Sequence, residues 1–247
     1  MIELVGTPSD EVSEILVTGR AEITTLFISM AARHPEGDDA AYLAWHGLDH
    51  RPEQHRLAGL RSSIRLVSTP RCRAARAFSG AKLDAVDHVV TYFFADRGDL
   101  IGFVDLSVAL RSAGRTPYVL PPVARGIYDV HARAADPAVK VGAEVLPWWP
   151  ATGAYLLIDR GRAPVDELVQ VPGVGGAWTA TRADDDQDGN DRVEEQLSYL
   201  FLYDDPVAVA ERLRPIVRER AHASAIDPKL AAPFHVVVPR DWERHLP

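Results

Sequence analysis

Five side chains in one short stretch could do chemistry together. Tyr42, Trp45, His46, Asp49 and His50 recur at three- and four-residue spacings, which on a helix crowds them onto adjoining faces. Pro52 has no N–H and disfavours helical geometry at Arg51, so the helix is expected to end about His50. A histidine at a helix carboxyl end faces the negative pole of the macrodipole, which raises its pKa toward neutrality. His50, with His46 one turn behind, would then suit proton transfer at physiological pH. Asp49 or Glu53 would orient the ring, and Trp45 and Tyr42 would offer an apolar wall to a ring-shaped ligand. In segment 88–94, His88, Val90, Tyr92 and Phe94 alternate with Val89, Thr91 and Phe93, so one strand face carries His88, Tyr92 and Phe94 toward any ligand. The plainer expectation stands beside this: a helix-end histidine caps carbonyls, and Trp45 and Tyr92 belong to the core.

Other motifs carry less. His46-x3-His50 could hold a metal on one helical face, but a third ligand must come from elsewhere and no Glu follows His46 in the metalloprotease manner. Asp184-x-Asp186-x-Asp188-Gly189-x5-Glu195 matches the EF-hand calcium formula, yet strand-like residues flank it and Asp191 occupies a slot that such loops fill with an apolar residue. It reads more simply as the acidic tip of a hairpin. Gly173-Val174-Gly175-Gly176 leads into a strand, the reverse of a dinucleotide site. Cys72, among Arg71, Arg73 and Arg76, is expected to be a solvated loop thiol with no partner base.

The elements that must position these groups repeat along the chain. The turn at Gly59 recurs at Gly173, Val89 to Asp96 recurs as Leu197 to Asp204, and Gly126 to Val130 recurs as Phe234 to Val238. Each half reads strand, helix, strand, strand, helix, strand, the split βαβ pattern of a ferredoxin-like unit. The expected organisation is a first unit over 1–133, a connector over 134–152 and a second unit over 153–247. Helices are expected over 7–17, 38–49, 99–112 and from Asp205-Pro206, with Pro215 kinking or ending the last. In the helix over 99–112, Leu100, Phe103, Val104, Leu106 and Leu110 form the expected buried stripe, and Gly114 the stop. The connector's Trp148 and Trp149 are expected to pack in the seam between units. The second unit keeps only 165–170 where the first has its helix, and it lacks the histidines.

Bulk properties narrow the function. The 247 residues are 47% apolar and 25% charged, ordinary for a globular protein. A formal net charge of −8 without a basic block argues against nucleic-acid or anionic-membrane partners. One cysteine allows no internal disulfide and fits a reducing, cytoplasmic setting. No charged-then-apolar leader opens the chain, and no apolar run approaches the roughly 18 residues of a membrane span.

The skeleton from Trp45 to Arg61, an aromatic followed by His50-x-Pro52-x4-Leu57-x-Gly59-Leu60-Arg61, resembles the first helix of EthD-like members of the dimeric α+β barrel superfamily. That resemblance implies two ferredoxin-like sheets packed face to face, here within one chain, and a ligand cavity between a sheet and its two helices. It implies a small-molecule enzyme acting on a hydrophobic, often cyclic substrate, without metal or organic cofactor. Isomerisation, cyclisation, dehydration or cofactor-free oxygenation are the reaction classes it leaves open. The alternatives are a non-catalytic binding or scaffold barrel, or a barrel that ligates haem through a histidine. Assembly is expected as a monomer with an intrachain barrel or as a homodimer.

Overall fold

Alternation of apolar side chains along eight long strands produces one continuous antiparallel sheet that closes on itself. The computed structural model describes residues 5–6, 22–183, 194–223 and 226–247. The expected helix over 7–17 and nearly all of the calcium-like loop lie outside the described residues. The first unit contributes β1 (Thr25–Ala31), β2 (Leu60–Val67), a two-residue β3 (Phe78–Ser79), β4 (His88–Phe94) and β5 (Pro122–Ala135). The second contributes β6 (Gly153–Arg160), β7 (Val174–Arg182), β8 (Glu195–Leu202) and β9 (Asp227–Val236). The strand order is β2-β4-β1-β5-β7-β8-β6-β9, with β2 pairing again to β9. Within each unit this is the ferredoxin-like order, and the ring is an α+β barrel made by tandem ferredoxin-like units in one chain.

The two seams differ. β5 and β7 pair from Tyr128↔Arg182 to Ala135↔Gly176, whereas β2 and β9 share only Leu66↔Val236 and Val67↔His235. One strand face fills the barrel interior and the other meets helices, as period-two alternation requires. Leu26 and Ile28 of β1 and Val89 and Phe93 of β4 point inward with Trp178, Tyr199, Phe201 and Phe234. The interior is a packed core, not a channel. The opposite face of β4, with Val90, Tyr92 and Phe94, meets Leu100 and Phe103.

Helices cover the outer faces. α1 (Asp39–Trp45) runs into a π-helical turn, His46–His50, and then into α2 (Arg51–Gln54). The expected stop at Pro52 is therefore corrected. The Arg51 N–H bonds to the His46 carbonyl five residues back, so the widened turn precedes the residue that has no N–H to give. His50 and Arg51 stay right-handed helical, with φ −65° and −63°. α3 (Pro70–Ala74) buries Cys72, the thiol expected in solvent, because Thr69 caps the helix by accepting from the Cys72 N–H at 3.2 Å and Pro70 fits its first turn. Burial pushes that thiol's pKa up. α4 (Asp99–Ser112) has its expected ends, and Gly114 at φ 72° stops it. Its stripe is narrower than expected: Leu100, Phe103 and Leu110 are buried, but Val104 is exposed.

In the second unit α5 (Asp166–Val169) is a stub and α6 (Pro206–Ala223) does not end at Pro215 but continues past it. Pro215 lies on the solvent side, where water can satisfy the carbonyl that it frees. Between the units, β5 extends to Ala135, past the expected boundary, and the connector forms short 3-10 turns over Pro137–Val139 and Ala143–Trp148. Only Trp149 packs in the seam, against Tyr203. Trp148 is 44% exposed and donates its indole N–H to the Arg61 carbonyl at 3.2 Å.

Beyond β9 the chain turns back onto the first unit. Val237, Trp242 and Leu246 pack with Tyr42, Leu43 and Trp45. Trp242 lies so close to Gly47 that a Cβ there would sit 2.8 Å from its ring, so the glycine in the π turn admits the tail.

Candidate functional site

The π turn and β4 together build the site. Three- and four-residue spacing sets Trp45 beside His50, with ring centroids 5.0 Å apart, and His46 beside His50 at 5.5 Å. Tyr92 rises from β4 and shares a 3.3 Å hydrogen bond with His46 Nε2. Burial pushes the Tyr92 phenol up, so its hydroxyl stays protonated and donates to the imidazole. Gln54, one turn beyond His50, reaches His50 Nε2 at 3.0 Å. His46 Nδ1, His50 Nδ1 and Gln54 Oε1 have no hydrogen-bond partner among the described residues.

These groups face a cavity of about 360 Å³ between the first unit's sheet and its helices. Phe27 and Ser29 of β1, Phe103 of α4, and Tyr118 and Leu120 of the segment before β5 complete its walls. Exposed Val104, Val108 and Val119 stand at its rim. Of the residues singled out from sequence, Tyr42, Trp45, His46, His50 and Tyr92 line this space. His88, Asp49 and Phe94 do not.

Each of those three is a correction with a physical cause. His88, fully buried, holds Asp39 Oδ1 at 2.7 Å, and the same oxygen accepts the His34 N–H at 2.7 Å. Burial alone would push the Asp39 carboxyl up, but the His88 and His34 hydrogen bonds outweigh it and hold it below the usual range. The pair is a strut between the first turn of α1 and β4. Asp49 does not orient His50; it turns to Arg115 at 3.0 Å, as does Glu53 at 3.3 Å. Phe94 is sealed under α4, edge-on to Phe103.

The expected upward shift at His50 is also overturned. The helix does not end there, so no carboxyl-terminal pole faces the ring. Burial lowers its pKa, Asp49 opposes that, and Arg115 adds to it. His46 is pressed well below 6.5, first by burial and then by Arg65. Both imidazoles are neutral at pH 7, and with each Nε2 accepting a hydrogen bond the ring proton sits on Nδ1. Their Nε2 atoms are engaged by Tyr92 and Gln54, which does not fit a metal or haem ligand pair.

Burial at His88 makes stability depend on pH. Its pKa falls to about 4, against an ordinary value of about 6.5. Between these limits the unfolded chain binds a proton that the folded chain refuses, so stability is full above about pH 6.5 and falls as pH drops toward 4. His46 acts in the same sense, while the Asp39 contribution is lost only below about pH 3.8. His88 alone should cost on the order of 3 kcal/mol at pH 4. Melting curves from pH 7 to 4 are expected to show a steep fall in Tm, shallower in His88→Gln. A flat profile would contradict this account.

Sequence inspection missed Gln54, Asp39 and the α4 wall. The four-residue step from His50 to Gln54 was the available signal for the first. Asp39 and His88 are 49 residues apart, and nothing local couples them.

No family model matches the chain, and no curated protein matches it. Among solved structures, the chain is similar to a candidate chlorite dismutase, at TM-score 0.53 and 12% identity over 90% of this chain and 97% of that one. An anthrone oxidase-like protein matches at TM-score 0.43 and 13% identity, over 90% and 94%. A dye-decolorizing protein from V. cholerae matches at 0.47 and 10%, over 87% and 94%. At such identities the first likeness shows the fold alone.

Proposed function

We propose that the protein is a small-molecule enzyme that binds a hydrophobic, ring-shaped substrate in the first-unit cavity and moves a proton with His50. One observation carries this. Apolar and aromatic walls enclose two neutral histidines whose Nδ1 atoms have no partner among the described residues. A binding protein with no chemistry would be expected to satisfy its own pocket polar groups; here the network is incomplete. His50 is the half-buried ring of the two, and its Nε2 serves as base toward an acidic C–H or O–H of a ligand that takes the place of the Gln54 amide. Tyr92 keeps His46 in place and donates toward it. The Trp45 to Arg61 motif supports an EthD-like assignment within the barrel class.

The same reading divides the chain into units over 1–133 and 153–247 joined by 134–152, related by duplication, with the site retained in the first. Packing is in keeping with it: in the second unit Leu168, Val169, Leu213 and Val217 cluster with Tyr155 and Leu157 of β6.

Identifying a ligand that co-purifies, by mass spectrometry, supplies a substrate for a pH–rate profile. A base with a depressed pKa predicts kcat/KM that is flat at pH 7 and falls below an inflection under about 6.5. A profile that rises toward low pH, or stays level to pH 4, removes His50 as the base.

A further inference from the structure

The cavity has a charge bias that the chain as a whole does not share. The protein is acidic, at −8, yet no Asp or Glu is among the described residues lining the cavity. Two arginines are: Arg111 in the last turn of α4 and Arg125 on β5. Neither guanidinium has an ion-pair or hydrogen-bond partner among the described residues, whereas Arg73, Arg115, Arg212 and Arg220 each hold a carboxylate. Arg125 also borders a small hollow at the barrel end that contains Glu195, but that carboxylate is already engaged. It accepts from the Tyr128 hydroxyl at 2.7 Å and from Arg182 at 3.1 Å.

A second positive source lies behind the apolar wall. Arg65 is 4% exposed, stacks over the Tyr42 ring at 4.8 Å, and leaves Nε and Nη2 without partners among the described residues. A buried cation with no carboxylate beside it raises the potential inside a low-dielectric pocket. An anionic ligand is the group that such an arrangement attracts.

We infer that the cavity takes a planar apolar ring system bearing a carboxylate, with the ring against Tyr42, Trp45 and Phe103 and the acid group at the mouth on Arg111 and Arg125. This rests on the cavity being the ligand site, as proposed above. Arginine's planar fork suits a carboxylate in a way that a point charge does not. A volume of about 360 Å³, near the lower end of the roughly 300–1,000 Å³ common for ligand pockets, admits one or two fused rings. The acid then marks the outer end of the molecule and leaves its rings at the histidines.

Calorimetric titration of the full chain with 2-naphthoate and with 2-naphthalenemethanol tests this, since the two share a ring and differ in charge. The naphthoate is expected to bind at least ~10-fold more tightly, as one charge-assisted contact requires, and raising salt should erode only that advantage. In R111Q/R125Q the preference should collapse to near parity with Tm unchanged, because both side chains are exposed and unpaired. Equal binding of the two probes by the wild type, or a preference kept in the double variant, overturns the anionic ligand while leaving the cavity as a ring-binding site. Binding of neither probe overturns both.

Discussion

Trp178→Ala is expected to lower the melting temperature by about 10–15 °C. The ring is 1% exposed at the centre of the barrel, edge-on to Phe93 at 5.8 Å and to Phe201 at 6.2 Å. Truncating a buried tryptophan costs about 3–5 kcal/mol through lost burial and the cavity left behind. Two further groups lose a partner: the Ala143 carbonyl, which accepts the indole N–H at 2.7 Å, and Arg133, which stacks on the ring at 4.8 Å. A chain of this length shifts by roughly 2–4 °C per kcal/mol, which gives about 6–20 °C, with the stated range at its centre. Trp178→Phe should fall between the two, because it keeps most of the area but not the hydrogen bond. Differential scanning calorimetry that found Trp178→Ala within about 3 °C of the wild type would show that the interior of the ring is not what holds the units together.

His50→Ala is expected to slow turnover of an identified substrate by about 10²–10⁴-fold, the usual worth of a positioned acid or base. The effect should fall on kcat and kcat/KM together, since the ring acts on the reacting proton and adds little to ground-state binding. Tm should move little, because His50 is half-buried and its partner Gln54 lines the cavity. His55 is the control. It lies one residue past α2, holds Ser63 Oγ at 2.8 Å and does not line the cavity, so His55→Gln should leave turnover intact. Turnover unchanged in His50→Ala would end its catalytic role. A loss confined to KM would make His50 an anchor for a ligand carbonyl or hydroxyl.

Much of this architecture was legible before any coordinates. Strand alternation and the recurrence of the Gly59 turn at Gly173 follow from local patterning, and the ends of α4 follow from Asp99 and Gly114. The errors share one origin, which is that tertiary packing outweighed a local preference. Pro52 was expected to stop a helix, but a π turn absorbed it. Cys72 sits among arginines that suggest a solvated loop, yet the Thr69-Pro70 start made a short helix that turns the thiol inward. The Asp39–His88 strut spans α1 and β4, and no spacing rule connects residues that far apart. The histidine pair was legible because i, i+4 geometry is local. Its neutral state was not, because burial and Arg65 come from elsewhere in the fold.

Closure of the sheet within one polypeptide has a consequence for kinetics. Where two subunits must meet to complete such a ring, activity fades as the solution is thinned and the halves part company. Here both joints, β5 with β7 and β2 with β9, are made by a single strand of covalent chain. Specific activity should therefore hold constant on serial dilution far into the nanomolar range. On the proposed reading, the second half serves as a permanent brace for the first.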